Sequence, residues 1–508
     1  MQERRSYDVI VIGGGSAGCA AAARLSEDAD RQVLLLEAGP DPQPIPYEIA
    51  DGSRVARVVL ESPYVVLYPT PRAGDGSTFY KVSGRVMGGG SSVNAMAVVR
   101  PTKHDLDTWA ALGNPGWSFD ECLPLLRRIE TDADYGGNDI HGEDGPLYVY
   151  RAFRVDEEES ADAPVRAFIA RALGMGLPLC PDLNVPAPYG VCSSAYNVKD
   201  GVRQNTTVAY LDPARGRPNL DVVPDAQVQT LSIANGRVNG VVYKHAGEVS
   251  TVSADVVVLS AGVYHSPQIL MLSGIGPAGD LERLGIPVVN ALEGVGENYQ
   301  DHATLEMTFE GNADFNPDWV IPRFRLMYKS DPGLPHGNFH IFQRPPTVVE
   351  GLKPMWPVSA NLLEQRDPGR IRLVSADPGD LPEIEDAMLK HPDDLAAMLN
   401  AMEFIYELVQ HESMQEFYGP LISPTREEDW AEFARSAHGS YHHGIGTCKM
   451  GPASDPMAVV DSNLKVHGID NLYVADASIM PTIPHANTNV TCIMIGERLS
   501  DIVKGLVG

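Results

Sequence analysis

Residues able to handle an alcohol proton stand near the C-terminal end of the chain. Tyr441-His442-His443-Gly444-Ile445-Gly446-Thr447 places adjacent histidines in a glycine-flanked segment, and Asn487 follows inside Pro484-His485-Ala486-Asn487-Thr488-Asn489. A neutral imidazole takes up an alcohol proton near pH 7, and a carboxamide orients the same oxygen without titrating. Taken alone, a histidine in such a segment is more often structural than catalytic. His340, in the alternating run Phe339-His340-Ile341-Phe342, is a further candidate for a substrate cavity and reads equally as a buried strand histidine. A metal site is not expected. Neighbouring histidines rarely chelate one ion, and no carboxylate or cysteine stands at ligand spacing beside them.

A second set of residues belongs near the other end. Asp8-Val9-Ile10-Val11-Ile12-Gly13-Gly14-Gly15-Ser16-Ala17-Gly18 runs an apolar strand into a glycine turn, and a helix of small residues from Ser16 to Leu25 follows at once. Val33 to Leu36 then forms a second strand ending in Glu37. Gly13, Gly15 and Gly18 allow the sharp turn, the approach of a pyrophosphate and close helix–strand packing; Glu37 falls where a carboxylate meets an adenosine ribose. The helix start, with Ser16, offers N–H groups to the phosphates. A second glycine loop, Gly84-Arg85-Val86-Met87-Gly88-Gly89-Gly90-Ser91-Ser92-Val93-Asn94, exposes backbone suited to a phosphate or a flat ring and reads equally as a flexible turn. These features predict a dinucleotide and leave FAD and NAD both open.

The totals narrow the partners. With 39 basic and 67 acidic residues, the formal charge of −28 excludes a nucleic-acid partner and leaves room for a cationic substrate, although scattered acids are most simply a solvated surface. Cys19, Cys122, Cys180, Cys192, Cys448 and Cys492 show no disulfide or zinc spacing, which fits a reducing cytoplasm. No signal peptide or membrane-length apolar run is expected.

The remaining pattern describes the elements that must position these residues. Prolines crowd residues 40–80, predicting an extended, looping segment. A helix is predicted over 165–173 and strands over 220–223, 236–243 and 254–260, the last continuous and branched like a strand buried on both faces. Ser266 to Gly276 reads as a short helix closed by glycine. Residues 303–435 mix alternating segments with a clear helix from Pro392 to Gln410 and are read as a second, sheet-based domain.

Taken together the chain resembles the glucose–methanol–choline family of flavoprotein alcohol oxidoreductases. Five motifs carry the likeness in family order: Gly13–Gly18 with Glu37; Gly84–Asn94; Gly262–Gly276; Gly294-Val295-Gly296-Glu297-Asn298-Tyr299-Gln300-Asp301-His302; and His443 with Asn487, with Leu472–Pro481 also family-like. The resemblance implies FAD in a discontinuous α/β Rossmann-type domain (1–152, 186–302 and 436–508). It also implies an α+β substrate-binding domain with an antiparallel sheet (153–185 and 303–435). By resemblance, Gly13, Gly15, Ser16, Gly18 and Glu37 hold the ADP part. Gly88, Gly90, Ser92, Val93 and Asn94 face the flavin and its phosphates, Val228 lies near the adenine, and Asp476 and Thr488 lie near the flavin. His443 and Asn487 bind the alcohol oxygen, and His443 removes its proton as hydride passes to flavin N5. Some members tether FAD through a histidine where this chain has Val93, so non-covalent FAD is expected. Choline oxidases place a glutamate where this chain has Thr304; with only Glu306 nearby, choline is disfavoured. A closer likeness than to choline oxidases is to bacterial 5-(hydroxymethyl)furfural and aryl-alcohol oxidases, through Asp132–Gly136 and Gly90–Asn94. Their apolar segment before the catalytic histidine is here Tyr441-His442. The expected reaction is oxidation of a primary alcohol to an aldehyde, and onward through the hydrate to an acid, with oxygen or another electron acceptor. His340, His442, Tyr441 and Glu306 are the candidate substrate contacts. The alternatives are a cationic or amino-sugar alcohol with an acceptor other than oxygen, and a flavin-binding lyase or non-redox descendant.

Overall fold

A computed structural model describes residues 6–52, 62–72, 75–157, 162–312, 323–348 and 353–505. Two sheets carry the molecule. In the first, strands Leu220–Val223, Val33–Leu36, Ser6–Ile12 and Glu248–Leu259 lie side by side and parallel, and Leu472–Val474 joins the far side of the last. All four residues of Val33–Leu36 are buried, as a strand covered on both faces requires. In this register Ile12 lies beside both Leu36 and Leu259, and Leu36 beside Val223. The strands therefore end together, and Gly13, Glu37, Ser260 and Ala475 leave the sheet along one edge. That carboxyl edge is where open parallel sheets bind their ligands. The earlier part of Glu248–Leu259 pairs antiparallel with Arg237–His245, and that strand with Gln227–Ala234.

The second sheet runs Tyr418–Ser423, Ala303–Gly311, Met355–Leu362, Phe339–Gln343, Phe324–Tyr328, Gly190–Ser193 and Leu179–Cys180, antiparallel except for the last pair. Gly439–Ser440 pairs with the start of Ala303–Gly311. It thus takes in strands at 190–193 and 439–440, which lie outside the stretches 153–185 and 303–435. Alternation sorts its two faces. Leu305, Met307, Phe309, Phe324, Leu326, Phe339, Ile341 and Val358 join one apolar cluster with helices Ala163–Gly174 and Pro392–Val409. The intervening residues give the opposite face Thr304, Glu306, Arg325, His340, Phe342, Ser359 and Asn361. This second face is polar and turned away from the helices.

Three expectations need correction. The proline-crowded segment forms a two-stranded ribbon, Val65–Pro71 against Thr78–Gly84; residues 53–61 and 73–74 of that segment lie outside the described residues. Alternating Val, Tyr, Thr and Phe residues outweigh Pro69 and Pro71, which a two-stranded ribbon tolerates on its free edges. The glycine-closed helix starts earlier, at Gly262, and ends at Leu272 before Gly274. The second glycine loop contains a helical turn, Gly90–Val93.

Candidate active site

The two glycine loops meet. Gly13 has φ +103°, and a side chain there would collide with the Ser260 carbonyl; a side chain on Gly18 would collide with the Gly13 carbonyl. Helix Ser16–Leu25 starts at Gly15, which supplies no side-chain cap, so first-turn N–H groups remain for a ligand. The amide N–H of Gly88 donates to the Gly14 carbonyl oxygen at 2.7 Å, laying the second loop on the first. At Gly90 a Cβ would meet no protein atom within 4 Å. Helix Thr488–Val503 brings a second N-terminus to the same place: Ser16 donates to Asn489 Oδ1 at 2.7 Å, and Gly496 packs against Ala17 with no room for a side chain. Two uncapped helix starts and two side-chain-free loops at one sheet edge fit a pyrophosphate carrying a flat ring.

The carboxylate of Glu37 accepts from the backbone N–H of Gly14 at 2.7 Å and Gly39 at 2.8 Å, leaving lone pairs for a ribose. Burial pushes its carboxyl up to about 7, against those two N–H bonds. Val228 is buried just past Ala226, whose N–H donates to the Glu37 carbonyl. In the second loop, Ser92 Oγ donates to the Met87 carbonyl and accepts from Asn205, and Val93 packs with Ile49 and Val86. Asn94 Oδ1 accepts from Arg203 Nη1 at 2.8 Å. Asp476 ties elements together, accepting from Gly262 N–H, Ser266 and Ser478.

The proton-handling residues converge beyond that edge. Residues 440–445 run antiparallel to 300–303, with Tyr441 N–H donating to the His302 carbonyl and Gln300 bridging Ile445. His302 therefore faces His443, and their Nδ1 atoms lie 2.9 Å apart. Asn487 Nδ2 lies 3.0 Å from His443 Nε2. Burial holds the His302 imidazole down at about 4, and burial with the neighbouring His302 holds His443 well below the ordinary range. Both rings are thus neutral at pH 7. Because the amide nitrogen can only donate, His443 Nε2 accepts; its proton then sits on Nδ1 and is donated to His302 Nδ1. The lone pair on Nε2 points at Asn487, whose Oδ1 has no partner among the described residues. This is a base with its tautomer fixed from behind.

The other candidates divide. The Tyr441 ring lies 4.4 Å from the His443 ring, and the His340 ring lies 6.5 Å from Tyr441. The adjacent His442 is at φ +63° and exposed, while His443 is buried, so the pair does not act on one ligand. Glu306 is paired with Arg344 at 2.8 Å and offers no free carboxylate for a cation.

Residues 7–304 and 365–496 match the N- and C-terminal GMC oxidoreductase domains. The chain is 34% identical to mouse choline dehydrogenase (98% of this chain, 89% of that protein). It is equally 34% identical to 5-(hydroxymethyl)furfural oxidase of Methylovorus sp. (98% of each). Its fold superposes on pyridoxine 4-oxidase from Mesorbium loti with a TM-score of 0.91 at 28% identity, covering 97% of this chain and 98% of that one. The chain belongs to the GMC oxidoreductase family. GMC membership makes it an FAD-dependent oxidoreductase acting on alcohol groups. Among the described residues no helix is long and apolar enough to cross a membrane.

Several residues around this GMC site carry no individual signal in the sequence. Asp301, wholly buried, accepts from Lys81 Nζ at 2.8 Å, from Ser440, and from the backbone N–H of His443 at 2.9 Å. Lys81 also reaches Asp386 at 3.1 Å. This network places the His443 backbone, and only the fold brings its members together. Arg203 organises the second loop, donating to carbonyls of Ile49, Ser91 and Asn94. His485 sits between Asp105 at 2.6 Å and Glu364 at 3.5 Å, with His336 also on Glu364; these carboxylates come from elsewhere in the chain, where local spacing could not reveal them.

Proposed function

We propose that the enzyme oxidises a primary alcohol to an aldehyde, with onward oxidation through the aldehyde hydrate to the acid. Bound FAD would supply the hydride acceptor. The reading rests on the neutral His443, whose Nε2 carries its lone pair on the side of Asn487. That atom takes the alcohol proton as the carbinol C–H bond breaks, and the Asn487 amide holds the oxygen. His302 accepts the Nδ1 proton of His443 and keeps the lone pair on the side of the alcohol, and Asp301 fixes the segment through its backbone. Oxygen or another acceptor would take up the electrons from bound FAD.

Gly13, Gly15, Ser16 and Gly18 would hold the pyrophosphate, and Glu37 and Val228 the adenosine end. Gly88, Gly90, Ser92, Val93, Asn94, Asp476 and Thr488 would surround the flavin side. Val93 has no atom able to bond the ring covalently, so acid precipitation should release free FAD. The cofactor domain is assigned to 1–152, 186–302 and 436–508, apart from strands Gly190–Ser193 and Gly439–Ser440, which join the second sheet. Six free cysteines support a reducing, cytoplasmic location.

His443→Ala should retain yellow FAD and lose roughly 10²–10⁴-fold in the rate of anaerobic flavin reduction by alcohols, the contribution typical of a general base. Wild-type reduction rates in that variant would end the assignment. Absence of reduction by any alcohol in the wild type would favour a lyase or non-redox role.

A further inference from the structure

Five lysine and arginine side chains are buried among the described residues: Lys81, Arg100, Arg151, Arg203 and Arg325. Lys81 is paired with Asp301 and Asp386, Arg100 with Glu130, and Arg151 with Asp132 and Asp182. Arg203 has no carboxylate but donates to three carbonyls and the Asn94 amide oxygen. Arg325 is the exception. It is 2% exposed, forms no ion pair among the described residues, and meets only neutral groups: Nη1 donates to Ser194 Oγ at 2.6 Å, the Tyr196 and Tyr441 hydroxyls lie beside it, and its Nε has no partner. A guanidinium does not deprotonate in a protein, and leaving one buried without an anion costs several kcal/mol.

Its position suggests what completes it. Arg325 lies on the polar face of the second sheet, 5.3 Å from the Phe342 ring, and its charge acts on the Tyr441 hydroxyl. Tyr441 in turn lies against His443. Both ring nitrogens of His340 are buried without partners, and the Tyr441 hydroxyl has only Arg325 beside it. Unmatched donors thus gather on one side of the proposed base. The stretch carrying Arg325 and His340 falls between the two regions, 7–304 and 365–496, that match the family, whereas His443 and Asn487 fall inside the second.

We propose that Arg325, supported by Tyr441 and His340, binds the carboxylate of a substrate that carries an alcohol at one end and a carboxylate at the other. A carboxylate matches the planar fork of a guanidinium, whose Nε is still free. The subsite deepens the alcohol-oxidation reading and rests on it. It also reverses the expectation drawn from the net charge, since the acidic surface repels the proposed substrate and the local guanidinium must overcome that field. Salt should therefore raise kcat/KM for a carboxylated alcohol and leave a neutral one unaffected.

The test compares 4-(hydroxymethyl)benzoate with 4-(hydroxymethyl)benzamide in anaerobic flavin reduction by the FAD-loaded enzyme. The wild type should favour the benzoate at least tenfold in kcat/KM. Arg325→Met should reduce that ratio at least 30-fold, and Arg325→Lys, which keeps the charge without the fork, should fall between. Arg325→Lys also serves if the methionine variant fails to fold. Equal use of both alcohols by the wild type, or an unchanged ratio in the folded variants, overturns the subsite. If neither alcohol reduces the flavin, titration with benzoate separates the two readings. A flavin absorbance shift that weakens at least tenfold in the Arg325 variant upholds the anion site while alcohol oxidation fails; no benzoate shift in the wild type removes the anion site.

Discussion

Replacing His302 by leucine tests whether the base is held in one tautomer. In the wild type His302 Nδ1 accepts the proton on His443 Nδ1 at 2.9 Å, inside a site where both rings are buried. Leucine removes the acceptor and strands a buried N–H, at a cost of about 1–3 kcal/mol. His443 can escape that cost by moving its proton to Nε2, which is the atom that must be empty to receive the alcohol proton. If the whole cost falls on the productive tautomer, flavin reduction slows by roughly 5- to 150-fold. The assay is anaerobic stopped-flow reduction at saturating alcohol, with FAD content and the unfolding midpoint measured in parallel. His302→Gln, whose amide oxygen can accept the same proton, should recover part of the rate, which a purely structural role for His302 would not predict. A folded, FAD-loaded His302→Leu enzyme reducing its flavin at the wild-type rate refutes the reasoning.

Lys81→Met should destabilise the protein by about 3–5 kcal/mol in urea unfolding, because Asp301 and Asp386 are left as buried, unbalanced carboxylates; an unchanged midpoint would remove Lys81 from the network that sets His443. His302 and His485 together should make stability peak at about pH 6.5 and fall on either side. His302, held down at about 4, contributes fully above the unfolded value and loses its contribution as pH falls towards 4; His485, raised to about 9, contributes below the unfolded value and loses it as pH rises through 9. Thermal unfolding of the FAD-loaded protein across pH 4–10 checks both limbs. Gly90→Val should leave the apoprotein folded, since a Cβ there meets no protein atom, yet weaken FAD binding at least tenfold by filling the cradle. Unchanged FAD affinity by fluorescence titration would move the ring elsewhere.

The nucleotide half was legible because it depends on local rules. Strand Val9–Ile12, the three glycines and helix Ser16–Leu25 each announce themselves within a few residues, and their register in the sheet follows. His443 and Asn487 were visible as residue types, but their contact depends on the antiparallel run of 440–445 along 300–303. His302 was visible only as the end of a family motif. The Lys81–Asp301–Asp386 network and the unpaired Arg325 were invisible, since charge balance in the interior depends on which side chains the fold brings together. The ribbon at 65–84 was missed because proline counts outweighed β-branched and aromatic alternation.

The bond between Ser16 and Asn489 spans 473 positions of chain. Its consequence lies in biosynthesis. The first glycine turn leaves the ribosome long before the second helix start that completes the cradle. A chain lacking Thr488–Val503 has one uncapped helix start, no Asn489 to receive Ser16, and an exposed flank on helix Ser16–Leu25 where Gly496 should pack. Cofactor capture must thereby await helix Thr488–Val503, and loss of that helix removes half of the cradle while leaving the parallel sheet's sequence intact.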